Sequence, residues 1–194
     1  MPGASNTSFA SLHDVELCSF AAAGERRAFG ELVRRHSSAV RSLLRRMGAA
    51  ASEADDVAQD AFLTAFERIA EFRGEGTFAG WVKRIAARSY LRRLQKERKL
   101  AVFASESLEQ TAEAAPRGDA DAAIDLDGAL KELGAAERLC VSMCFGAGLS
   151  HTEAAEALNL PLGTVKSHVK RGLEKLRARL APGGATVEGR RGNG

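Results

Sequence analysis

The 194-residue sequence predicts an all-α protein of two small helical domains joined by a flexible acidic linker. Three observations carry that expectation. Only 6% of residues are aromatic while Ala and Leu are abundant, a balance that favours helix over sheet. Apolar residues recur at three- and four-residue intervals in successive segments, and none alternates apolar with polar residues as a half-buried strand does. Between the two periodic stretches, residues 104–121 are rich in Ser, Glu, Ala and Asp and nearly empty of large apolar side chains. Such a segment has too little apolar area to offset the entropy of ordering it.

The elements follow in order. Residues 1–24 read as an N-terminal segment with a short helix over 11–23, ending at Gly24. The first domain, 25–100, opens with a helix over 25–47. Its apolar residues are Phe29, Leu32, Val33, Val40, Leu43, Leu44 and Met47, and Gly48 stops it. Ser52 is expected to open a third helix, with Asp55 in the first turn where the helix dipole favours an acid. That helix runs through Val57, Ala58, Ala61, Phe62, Ala65, Phe66 and Ile69, then breaks at Arg73-Gly74-Glu75-Gly76. Thr77 is expected to cap a fourth helix with Phe78, Trp81, Val82 and Ile85 on one face. The linker occupies 101–121. A second domain of three or four short helices fills 122–182, and a Gly- and Arg-rich tail, 183–194, is expected to be disordered.

The formal net charge is only +3, but its distribution is uneven. Residues 83–99 carry net +7, residues 104–132 net −6, and residues 164–180 net +5. Basic stripes of this kind are the electrostatic footprint of a polyanion partner, although solvated helix faces carry such runs as well.

Several function classes are excluded. No run approaches the roughly 20 apolar residues that span a bilayer. Met1 to Ala10 has no Lys or Arg and no apolar core, so it does not read as a secretory signal, and the expected location is the cytoplasm. Three Cys and four scattered His make neither a disulfide framework nor a zinc spacing. Cys140 and Cys144, one helical turn apart, read more readily as two small buried hydrophobes than as a redox switch, and Cys18 reads the same way. There is no nucleophile–base pair and no Gly-rich phosphate loop. The expectation is therefore a non-enzyme with no cofactor, no metal, no membrane insertion and no small-molecule substrate.

Residues 150–180 hold the strongest local signal. Ser150-His151-Thr152-Glu153 is a capping box that opens a short helix through Ala154, Ala155, Ala157 and Leu158. Asn159 tolerates the left-handed conformation that ends it, and Leu160-Pro161-Leu162-Gly163 reads as a tight turn. Thr164 is expected to cap the next helix, where Val165, Val169, Leu173, Leu176 and Leu180 form one buried stripe. Lys166, Ser167, Lys170, Arg171, Glu174 and Arg177 lie on the other face. This is a helix-turn-helix, and its second helix presents cations and hydrogen-bonding groups as a major-groove reader does. An αα-hairpin inside another bundle would share the stripe and the caps but not the cationic outer face.

This segment resembles region 4 of the group IV, or ECF (extracytoplasmic function), bacterial sigma factors. The resemblance rests on Leu133-Gly134-Ala135-Ala136-Glu137-Arg138, on Gly148 to Leu158, and on Leu162-Gly163-Thr164-Val165-Lys166-Ser167 with Lys170-Arg171-Gly172-Leu173. In the first half, Ala54-Asp55-Asp56-Val57-Ala58-Gln59-Asp60-Ala61-Phe62 is similar to the polymerase-binding helix of sigma region 2. Phe72-Arg73-Gly74-Glu75-Gly76-Thr77-Phe78 and Trp81-Val82-Lys83-Arg84-Ile85-Ala86 are similar to its promoter-melting segment. Two motif sets in the family's order, with an acidic linker between them, point to an ECF sigma factor.

The resemblance implies three sites. Asp55, Asp56, Gln59 and Asp60 would bind core RNA polymerase. Arg73, Glu75, Thr77, Phe78, Trp81, Arg84 and Arg88 would recognise and melt the −10 element, reading single-stranded bases against an aromatic wall. Core packing is the alternative for the aromatics, as good a reading for Trp81 and a better one for Phe78. Thr164, Lys166, Ser167, Lys170 and Arg171 would contact −35 duplex DNA. It also implies an anti-sigma factor that blocks these surfaces. The sequence departs from the family pattern at Asn159, where Gly is usual, at Phe66, often Trp, and at Arg88, commonly Asn. Two rivals are a stand-alone helix-turn-helix regulator, which needs a dimer to read two half-sites, and an adaptor that binds only protein.

Overall fold

The structure, a computed structural model, describes residues 9–96 and 126–180. The acidic linker of 101–121, the tail of 183–194 and the end of the first basic segment, residues 97–99, lie outside the described residues.

Eight α-helices make up the described chain: α1 (Asp14–Ala22), α2 (Arg26–Met47), α3 (Ala51–Glu67), α4 (Phe78–Lys96), α5 (Leu126–Lys131), α6 (Ala135–Val141), α7 (His151–Leu158) and α8 (Leu162–Leu180). Short 3-10 turns precede α1 and follow α3, and a π-helical turn, Ser142–Gly146, continues α6. There is no strand among the described residues.

The helix ends follow local chemistry. Glu16 accepts the His13 backbone N–H at 2.8 Å and opens α1. Glu25 accepts from the Arg27 N–H at 3.1 Å and opens α2. Gly48 closes α2 at φ 112, in the left-handed region where a Cβ is costly. The α3 boundary differs from expectation. The N-cap is Ala50, and Glu53 reaches back to its N–H at 3.4 Å, so Ser52 sits inside the first turn. At α4, Thr77 Oγ1 accepts the Gly80 N–H at 3.0 Å. The expected cap therefore forms, and its close approach uses the missing side chain at Gly80, where a Cβ would stand 3.2 Å from that oxygen.

Helices α1 to α4 form one bundle. Leu17, Leu32, Leu44, Met47, Phe78, Val82 and Tyr90 are among its fully buried side chains. The N-terminal segment is part of this bundle rather than an appendage. Arg35 on α2 donates to the backbone carbonyls of Phe9, Ala10 and Leu12 and pairs with Asp14 at 3.0 Å. His36 meets the other oxygen of Asp14 at 2.7 Å.

The second half does not stand apart. Leu139, Cys140, Met143, Ala147 and Leu149 are buried in the same apolar core as α2 and α4. A separate small cluster of Ala129, Leu130, Leu133, Val141 and Leu176 lies between α5, α6 and α8. Sequence periodicity predicts which faces are apolar but not that one half's face closes on the other.

Candidate nucleic-acid and polymerase interfaces

Three surfaces gather the residues singled out above. The first is on α3. Asp55, Asp56, Gln59 and Asp60 are all exposed. Asp55 and Gln59, one turn apart, rim a groove of about 620 Å³ between α2 and α3 whose floor and walls are apolar: Val33, Phe62, Leu63 and Phe66. Asp56 and Asp60 flank it without lining it. Leu63 is 56% exposed, a large apolar side chain left on a polar face. The sequence reading missed it, although the signal was present: Leu63 stands one turn beyond Gln59 on the face that should be polar. Arg26 and Arg41 line it too, and Arg41 Nε lies 3.6 Å from Asp55 Oδ1, so the rim is of mixed charge. An apolar trough with a polar rim suits an amphipathic helical partner.

The second surface surrounds the loop before α4. Gly74 and Gly76 have φ of 76 and 88, so the loop depends on residues without a Cβ penalty. Arg73, Glu75 and Thr77 are exposed on it. Phe78 is not: it is 1% exposed, with its ring centroid 6.0 Å from that of Phe72 and 5.9 Å from that of Trp81. Its place is in the core, where apolar burial outweighs exposure to a ligand, and its contribution is to seat its neighbours. Trp81 is half-buried, 5.4 Å from Phe72, and keeps part of its surface at the base of the loop. That leaves an aromatic wall beside a glycine loop, a geometry that suits stacking on an unpaired base.

Arg84 and Arg88 continue from there along α4, and both are exposed but occupied. Arg84 Nη2 donates to the Gly148 carbonyl at 2.8 Å, and Arg88 Nη2 meets Glu153 Oε1 at 3.1 Å. Farther along, Gln95 Nε2 donates to the Ala157 carbonyl at 2.8 Å. The turn before α7 and the length of α7 thus lie along this stripe.

The third surface is the helix-turn-helix of α7 and α8. The capping box forms in both directions: Ser150 Oγ accepts from the Glu153 N–H at 3.1 Å, and Glu153 accepts from the Ser150 N–H at 2.9 Å. The Glu153 carboxyl is held below its ordinary range by that backbone N–H, with Arg84 and Arg88 adding to the effect. Asn159 takes φ 53 and ends α7 as expected. The next boundary does not fall at Thr164. The Pro161 carbonyl accepts from the Thr164 and Val165 N–H groups, so α8 begins at Leu162 and Thr164 sits in its first turn, half-buried. Proline lacks an N–H and needs none at a helix start, which lets the turn be shorter than its sequence suggests.

Lys166, Ser167, Lys170 and Arg171 are exposed on α8. They are not equivalent. The Lys170 side chain is 78% exposed, whereas Arg171 Nε lies 3.6 Å from Glu137 and its Nη2 is 3.0 Å from His168 Nδ1. Glu137, 8% exposed, also accepts from Lys175 Nζ at 2.8 Å. Behind this cluster Gly172 lets α8 cross α6 closely: a Cβ there would stand 2.8 Å from Val141 Cγ2. His168 is buried and joins the apolar stripe, while Leu180, expected in it, is 37% exposed. Burial, followed by the Arg171 charge, pushes the His168 pKa down. Glu137 and His168 lie outside the motif positions that sequence reading assigns to DNA; their roles depend on what α6 brings against α8.

The thiols are quiet. Burial pushes Cys18 and Cys140 up to about 12 and raises Cys144 as well, so all three stay protonated and weakly nucleophilic. Among the described residues, no helix is long and apolar enough to cross a membrane.

Comparison with known proteins agrees with this geometry. Residues 32–100 match the family model of sigma-70 region 2, and residues 129–178 match that of sigma-70 region 4. The chain is 33% identical over 175 residues to the RNA polymerase sigma factor NccH of Alcaligenes xylosoxydans xylosoxydans, which covers 86% of this chain and 94% of that one. It is 34% identical over 169 residues to the ECF RNA polymerase sigma factor SigM of Mycobacterium tuberculosis (strain H37Rv), covering 87% and 83%. Among solved structures it is similar to CnrH in complex with the cytosolic domain of CnrY, at a TM-score of 0.50 and 29% identity over 86% of this chain and 96% of that one. The chain belongs to the sigma-70 family of RNA polymerase sigma factors, in its ECF group.

Proposed function

We propose that the chain docks on core RNA polymerase through the α2–α3 groove and directs it to promoters with two DNA-reading surfaces. The observation that carries this reading is the pairing, in one chain, of an apolar groove rimmed by Asp55 and Gln59 with a helix-turn-helix whose outer face is cationic. A stand-alone repressor has no use for the first.

The division of labour follows residue chemistry. Asp55 and Gln59 on the rim and Asp56 and Asp60 beside it supply polar contacts, and Leu63 and Phe62 supply the apolar contact area. Arg73, Glu75 and Thr77 on the loop reach unpaired −10 bases, and Trp81 stacks against the first of them. Arg84 and Arg88 hold phosphates. Lys166, Ser167 and Lys170 enter the −35 major groove near the start of α8, and Arg171, tethered towards Glu137, contacts the flanking backbone. The chain acts as an initiation factor in the cytoplasm, and the polymerase carries out the chemistry. Because CnrH is solved with a cytosolic domain of CnrY, an anti-sigma factor that occupies the same surfaces is proposed here as the regulator.

The test is run-off transcription with purified core polymerase on promoters recovered from chromatin bound by the chain. Defined transcripts that require the chain, and that disappear with Lys170→Glu plus Arg171→Glu while polymerase binding persists, are expected. Transcription that survives this double change would overturn the assignment of α8 to the −35 element.

A further inference from the structure

We propose that Glu137 and His168 are positioning residues for promoter recognition by α8. Together they turn Arg171 from a swinging cation into a fixed phosphate clamp. The clamp sets the register in which Lys166, Ser167 and Lys170 meet base edges. This rests on the proposed contact of α8 with −35 duplex DNA.

His168, Arg171 and Lys175 stand three and four residues apart on α8 and so share one side of the helix. Glu137 reaches that side from α6. Its Oε1 lies 3.6 Å from Arg171 Nε, and its Oε2 accepts from Lys175 Nζ at 2.8 Å. The reach depends on the close crossing at Gly172, where a Cβ would stand 3.5 Å from the Cβ of Glu137. Glu137 is buried, so water and salt screen its pull on Arg171 only weakly.

The second tether comes from α8 itself. Arg171 Nη2 lies 3.0 Å from His168 Nδ1. A guanidinium has donors and no acceptor, so Nδ1 must accept, and the imidazole is neutral with its proton on Nε2. Burial, followed by the Arg171 charge, lowers the His168 pKa and favours that neutral form. Arg171 is thus held at two nitrogens by groups on two helices, yet its side chain remains 52% exposed. It is gripped from behind and open in front.

Capping alone does not account for Glu137. Its Oε2 also accepts the Gly134 N–H at 3.3 Å at the start of α6, a contact that a glutamine makes as well. The pull on Arg171 and Lys175 needs the charge. Phosphate contacts fix orientation and carry no sequence information, so a clamp ordered before binding favours one docking register over its neighbours.

The test uses holoenzyme assembled from purified core polymerase and the full chain. It is titrated against fluorescein-labelled duplex fragments of its promoters, either matched or changed at single −35 base pairs. One altered base pair ordinarily costs on the order of 10- to 100-fold in affinity, and for Glu137→Gln that discrimination should fall about fivefold. Affinity for the altered fragments should stay level or rise. The slope of log affinity against log salt should steepen by roughly 0.9 for each cation freed onto duplex phosphate. His168→Asn keeps an acceptor near the place of Nδ1 and should restore discrimination to near the wild-type level. His168→Leu removes the acceptor and should lower it.

A Glu137→Gln chain that weakens on matched and altered fragments equally, or changes on neither, would overturn the proposal. Discrimination that survives Lys170→Glu would overturn the reading of α8 and this inference with it. Discrimination lost in Lys170→Glu but kept in Glu137→Gln would overturn the positioning alone. If Glu137→Gln no longer melts cooperatively, position 168 decides: equal discrimination by His168→Asn and His168→Leu overturns the proposal.

Discussion

Helices α4 and α8 are both nineteen residues long and both basic, yet they hold their cations differently. On α8 the acid lies behind the helix. Glu137 draws Arg171 and Lys175 towards α6 and leaves Lys166 and Lys170 facing outward. On α4 the partners lie in front: Arg84 and Arg88 stay exposed but lean on the Gly148 carbonyl and on Glu153, which the second half brings against them. The net charge of a helix therefore does not report whether its cations are available. What matters is which side the packed neighbour occupies.

The comparison can be broken most severely at the footing of α4. Phe78→Ala should remove about 3–5 kcal/mol of stability, as deletion of a buried aromatic ring does, and thermal unfolding will show it. Trp81→Ala, at a half-buried site, should cost less stability but impair promoter opening, which permanganate reactivity of unpaired thymines measures. Equal stability losses in the two variants would mean that Trp81 is purely core.

The footing of α8 is the next largest effect. Gly172→Val drives a side chain into Val141 and should cost about 1–3 kcal/mol by overpacking, with duplex binding lost and polymerase binding kept. Lys170→Glu is more selective: it should weaken duplex binding by about 1–3 kcal/mol in electrophoretic or anisotropy titrations, with the unfolding midpoint unchanged.

The smallest effect concerns pH. His168 is depressed in the folded chain, so the folded state binds fewer protons there than the unfolded state. Its contribution is fully present above the unfolded value of 6.5 and is lost as pH falls below it. Glu137 opposes this and Arg171 reinforces it. Melting midpoints at pH 7.5 and 5.5 should therefore differ more in the wild type than in His168→Gln.

Much of this was legible in the sequence, and the reason is locality. Gly24, Gly48 and Asn159 mark helix ends because their backbone requirement is a property of one residue, and the Ser150–Glu153 box is a property of four. The family motifs led to the exposed residues of α3 and α8. What was missed depends on elements distant in sequence. The tethering of Arg171 needs α6 behind it, and the engagement of Arg84 and Arg88 needs the second half beside them. Leu63 lay between these cases, visible as an apolar residue out of pattern but meaningful only beside the groove that α2 completes.

Polymerase docking through the groove between α2 and α3 is tested most directly by co-elution with purified core RNA polymerase in the absence of DNA at moderate salt. A stoichiometric complex is expected for the wild type and for Lys170→Glu, and its loss for Leu63→Asp and for Asp55→Lys combined with Gln59→Lys. A wild-type chain that ignores polymerase but binds duplex DNA directly would contradict it, as would a complex that survives both groove variants.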